Sequence, residues 1–70
     1  MNNIRQTLIE LYGEEEADAE LKMALENIEY DMENMSFHAA IFRALDDLGL
    51  EHDYAESLTN EFDSWIANKK

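Results

Sequence analysis

Seventy residues make one small domain, near the lower size at which a single core is stable without staples. No cysteine is present, which excludes disulfides and thiolate metal sites. Seventeen acidic against five basic side chains leave a formal charge of −12, beyond the magnitude of about 2 to 8 that suits a small soluble domain.

That charge excludes nucleic acid and anionic membrane as direct partners and favours a basic protein or loosely held cations. The hydrophobic fraction of 46% argues against disorder. Met1 to Tyr12 is amphipathic rather than a continuous apolar run, and no segment reaches the roughly 18 to 20 apolar residues that span a bilayer. The expectation is a soluble cytoplasmic protein, in the host cytoplasm if phage-encoded.

Proline and valine are absent, and no run alternates like a half-buried strand. The predicted fold is all-α, one domain over residues 1–70, a small bundle of about four helices with an acidic surface. The first helix runs from Asn3 to Tyr12, capped by Asn2 or Asn3, with Ile4, Leu8, Leu11 and Tyr12 on one face. Gly13 suits the left-handed residue that closes a helix. Glu14, Glu15 and Glu16 then open the second helix, where the dipole favours negative charge.

The second helix continues to about Asn34 with an apolar stripe of Leu21, Leu25, Ile28, Met32 and Met35. The next stripe, Phe37, Ile41, Ala44, Leu45 and Leu48, lies about 160° around the axis. A break near Ser36, with Ser36 capping a third helix, lets both stripes face one core. The competing reading is a continuous helix from Glu14 to Leu48, whose back stripe of Met23, Tyr30, Phe37, Ile41 and Leu48 suits a partner subunit. Asn27 and Asn34 interrupt that stripe, so the broken form is preferred.

The third helix ends at Gly49, with Leu50 placed to fold back on Leu45 in a Schellman closure. His52 or Asp53 opens the fourth helix, Asp53 being the more natural cap. Tyr54, Leu58, Phe62, Trp65 and Ile66 form its inward face, and Lys69 and Lys70 favour its C-terminal dipole.

Catalytic and metal chemistry find little support, so no enzyme and no cofactor is expected. A nucleophile and base with a third orienting group would have to use Ser36 and His38, two residues apart at a helix start, but Ser36 reads as a cap and His38 as a partly buried residue beside Phe42. His52 reads as a solvated turn residue. Neither histidine has Glu three residues earlier, as a di-iron bundle requires. Counting an EF-hand loop around Gly49 puts Ala44 where Asp is needed.

What remains is a carboxylate ridge on the second helix. Relative to the apolar stripe, Asp18 and Glu29 lie about 60° and 80° away, and Glu15, Glu26 and Glu33 about 120° to 140° away. The ridge spans about 27 Å at about 1.5 Å per residue. Asp31 and Glu20 extend it around the other flank, and Lys22 can pair with Asp18 and Glu26. A charge run is usually only a solvated face; here few lysines are interspersed, which raises the case for a binding role. A second possible interface is apolar: Met23, Tyr30 and Phe42, suited to a protein contact or a homodimer.

In size and composition the chain resembles the small acidic proteins that phages and plasmids encode against host defences, some of which mimic DNA. The resemblance implies a non-enzymatic inhibitor, of the anti-CRISPR or anti-restriction kind, occupying the basic nucleic-acid channel of a host protein. It carries over no particular residue.

Overall fold

The computed structural model describes residues 3–69. Its α-helices are α1 (Ile4–Tyr12), α2 (Glu14–Asp31), α3 (Phe37–Leu48) and α4 (Ala55–Asn68), with a 3-10 turn over His52–Tyr54 preceding α4. No strand occurs among the described residues. The all-helical, four-helix expectation therefore holds.

Each boundary has a local cause. Asn3 is extended, and its Oδ1 accepts the Gln6 N–H at 3.1 Å, satisfying one orphan donor of α1. The Ile4 N–H donates to Ser57 Oγ at 2.9 Å, which ties the start of α1 to α4. Asn2, the other candidate cap, lies outside the described residues. Gly13 has φ 91° and ψ 160°. It is not the left-handed helical closure expected from sequence but the extended, positive-φ region that is essentially glycine's alone. One residue thereby ends α1, its N–H reaching Ile9 O at 2.9 Å, and starts α2, its carbonyl accepting the Ala17 N–H at 2.8 Å.

The second helix stops at Asp31, earlier than the apolar stripe suggests. Asp31 O accepts the N–H groups of both Asn34 and Met35, at 2.9 and 3.0 Å, which turns the chain. Met32 is consequently exposed, and Met35 only packs on the core edge. Ser36 then caps α3, its Oγ accepting the Ala39 N–H at 3.2 Å. The two helices are separate.

Gly49, at φ 76° and ψ 26°, closes α3 in left-handed conformation. The Leu50 N–H reaches Leu45 O at 2.9 Å and the Gly49 N–H reaches Asp46 O at 3.1 Å, the two bonds of a Schellman motif. Leu50 is buried, as expected. The start of α4 differs from the sequence reading: neither His52 nor Asp53 caps it. The 3-10 turn runs directly into α4, with the Ala55 N–H bonded to His52 O, so the turn supplies acceptors that a side-chain cap would otherwise provide.

Short connections fold α3 back along α2, and the Tyr12 hydroxyl donates to Leu48 O at 3.1 Å, joining the end of α1 to the end of α3. The core takes Ile4 and Leu8 from α1, Leu21, Leu25 and Ile28 from α2, Ile41, Leu45 and Leu48 from α3, and Leu58 and Phe62 from α4. Ala24 on α2 and Ala40 and Ala44 on α3 are buried with them. The radius of gyration, 11.3 Å, matches the value of about 11 Å expected for a chain of this length folded around one core. Leu11 and Tyr12 depart from the wheel. Both are exposed, because the last turn of α1 is left uncovered and only the Tyr12 hydroxyl finds a partner. Among the described residues no helix is long and apolar enough to cross a membrane.

Candidate partner-binding face

The core stripe of α2 (Ala17, Leu21, Ala24, Leu25, Ile28) fixes the orientation of every other side chain on the helix. At about 100° per residue, Asp18 and Glu29 fall on one flank, Glu20, Asn27 and Asp31 on the other, and Glu15, Lys22, Met23, Glu26 and Tyr30 point away from the core. These last five are all exposed, Tyr30 at 68% and Met23 at 57%.

The flanks are engaged by the neighbouring helices. Arg5 on α1 places Nη1 2.9 Å from Asp18 and Nη2 2.9 Å from Glu61, bridging α2 and α4. The hydrogen bond to Glu61, helped by the charges of Glu61 and Asp18 and opposed by partial burial, holds the Arg5 guanidinium above its already high usual pKa. Lys69 lies 4.2 Å above the Trp65 ring and donates to both Glu29 oxygens, at 3.0 and 3.2 Å. Its role is thus to join α4 to α2. Lys70 lies outside the described residues. On the far flank Arg43 sits 3.8 Å from the carboxylate of Asp31, a side chain largely covered.

The sequence-predicted ridge is therefore divided. Asp18, Glu29 and Asp31 carry internal partners, whereas Glu15, Glu26 and Glu33 have none among the described residues. Glu33 belongs to the turn after α2 and leaves the helical line, so a single straight ridge from Glu15 to Glu33 is not formed. Lys22 makes neither predicted pair among the described residues; Asp18 is taken by Arg5.

The apolar set divides as well. Met23 and Tyr30 share the outward face of α2. Phe42 instead lines the groove between α3 and α4 with Phe37, Ile41, Ala55 and Thr59, a space of about 360 Å³. There it is half-covered by His52, whose ring lies 4.5 Å from its own and whose Nε2 is 3.1 Å from Asp46 Oδ1. His38, expected to be partly buried, is exposed: it lines that groove 6.2 Å from Phe42, off the core face that Ile41 and Leu45 set on α3.

No family model matches the chain, and neither do the curated proteins or the solved structures compared with it. The surface itself must carry the functional reading.

A second groove went unseen in the sequence. Between α2 and α3, Ala24, Ala44 and Leu48 form a floor, with Glu20, Met23, Asn27 and Asp47 around it, enclosing about 140 Å³. Its two walls are separated by 17 or more residues in the chain (Asn27 to Ala44), so no local pattern announces it. The small residues Ala24 and Ala44, one on each helix, are the only trace of it in the sequence.

Proposed function

We propose that this chain is a non-enzymatic binding protein whose outward α2 face docks on a basic surface of another protein. The observation that carries the reading is the combination on one face. Glu15 and Glu26 have no cationic partner among the described residues; Glu26 stands between Met23 and Tyr30, both more than half exposed, and Glu15 lies on the same outward side about two turns before Met23. Apolar anchors with a carboxylate surround suit a partner that is basic around an apolar pocket. A tyrosine with few rotatable bonds is a good central anchor. The charge of −12 adds long-range steering, giving fast association that weakens with salt.

The partner class that fits is a nucleic-acid-binding protein, since such proteins present Lys and Arg in continuous tracks. An inhibitor that blocks such a channel, as the acidic anti-defence proteins do, is the specific form of this reading. Self-association through Met23 and Tyr30 is the alternative form, and it must overcome repulsion between two strongly acidic copies.

The test is affinity capture from a host lysate, washed at low and at physiological salt, with captured proteins identified and assayed for nucleic-acid binding. A basic protein retained by the wild type should be lost with Tyr30→Ala and with the pair Glu15→Lys and Glu26→Lys, and should release its DNA or RNA when bound. Equal capture by all three proteins sinks the docking reading. Sedimentation of the wild type and of Tyr30→Glu decides self-association: a dimer that becomes a monomer favours the alternative.

A further inference from the structure

We infer that the groove between α2 and α3 receives a single lysine or arginine side chain from the basic partner, the stem lying on Ala24 and Ala44 and the cationic head between Glu20 and Asp47. This rests on the docking reading above and names the contact that would give it specificity. Size comes first. At about 140 Å³ the groove is well below the range of about 300 to 1,000 Å³ typical of small-molecule sites, and suits one long side chain.

The chemistry of the walls agrees with that occupant. The floor of Ala24, Ala44 and Leu48 is buried and apolar, which accommodates the methylene stem of a long cationic residue. Glu20 rises from α2 and Asp47 from α3, so carboxylates stand on both walls, and neither has an ion-pair partner among the described residues. Arg43, one turn before Asp47, does not line the groove and is turned to Asp31 at 3.8 Å. Asn27 adds an amide that can donate or accept. Asp47 is exposed and Glu20 partly so; their charges are accommodated in the free protein, and a cation entering between them gains charge-assisted hydrogen bonds. The groove also adjoins the docking face, because Met23 belongs to both.

The experiment is a titration of the isotopically labelled full chain, followed by NMR, with acetyl-Leu-Arg-Leu-amide and its neutral citrulline isostere. At salt of about 150 mM, where the Debye length is about 8 Å, diffuse attraction between exposed charges is largely screened. The arginine peptide should shift the amides of Met23, Ala24, Asn27, Ala44 and Leu48. The citrulline peptide should bind about tenfold more weakly, as should the arginine peptide to the variant Glu20→Gln with Asp47→Asn, for a loss of about 1.4 kcal/mol. Unchanged melting of that variant separates lost binding from lost folding. Equal shifts with the two peptides, or shifts spread over the carboxylates of the whole chain or over the α3–α4 groove, overturn the inference. The docking reading fails separately. If the groove variant still captures the basic protein that Tyr30→Ala loses, only the groove is wrong; if Tyr30→Ala captures it too, the docking face is wrong.

Discussion

Most flank carboxylates of α2 and the carboxylates of its outward face have different fates, Glu20 being the flank residue that stays without an ion pair among the described residues. Asp18, Glu29 and Asp31 lie on the flanks and are joined to Arg5, Lys69 and Arg43. Glu15 and Glu26 lie outward and have no such partner among the described residues, and Glu26 falls between the exposed Met23 and Tyr30. Four described cations, Arg5, Lys22, Arg43 and Lys69, are too few to neutralise the surface. Three of them instead fasten neighbouring helices to α2. A carboxylate counted in the sequence is therefore not automatically a carboxylate offered to a partner.

The most drastic way to erase the difference is to remove what orients α2. Ile28 is fully buried in the stripe that sets both flanks and face. Ile28→Ala should cost about 2 to 5 kcal/mol in a denaturant melt. The two sides of the helix should then lose their distinction together with the fold. A loss under about 1 kcal/mol would mean the stripe does not hold the helix in place.

Gly13 tests the same orientation from the helix's start. No neighbouring atom would meet a Cβ there, so the penalty of Gly13→Ala is conformational alone. It should be about 1 to 3 kcal/mol, from forcing a side-chain-bearing residue into a glycine-only region. Gly49→Ala, in the left-handed helical region, should cost about 1 to 2 kcal/mol. Equal melting of the two variants and the wild type would show that neither turn constrains the bundle.

Smaller effects separate flank from face directly. Arg5→Ala removes two exposed ion pairs and should destabilise by no more than about 1 kcal/mol. Glu26→Gln breaks no ion pair among the described residues and should leave melting unchanged or slightly raised, through relief of repulsion. Glu15→Gln, by contrast, also removes a first-turn charge that the α2 dipole favours and should lower melting slightly. If Glu26→Gln proves more destabilised than Arg5→Ala, the division of α2 is wrong. The mildest test is salt: raising it from low to physiological should raise the melting temperature by screening repulsion among the acidic side chains. A flat response would show that the charges are dispersed enough not to matter.

Much of the architecture was written locally, because caps and glycines act on their own few residues. Asn3, Ser36 and Gly49 each do what their residue type permits at a helix boundary, and Leu50 returns to Leu45 as the closure requires. Apolar periodicity likewise placed Leu21, Leu25, Ile28, Ile41, Leu45, Leu58 and Phe62 in the core. The failures came where a neighbour or a turn competes with the pattern. Met32 fits the stripe but follows the end of α2, Asp53 is a good cap made unnecessary by a 3-10 turn, and Leu11 faces inward on a wheel that no element covers.

The amphipathic row with carboxylates on either side of α2 was legible from the start, because a helix fixes the angle between its own residues. Which of those carboxylates stand free was decided only by tertiary structure. Arg5, Arg43 and Lys69 reach α2 from three other helices, at separations of 12 to 40 residues that no periodicity within α2 can anticipate.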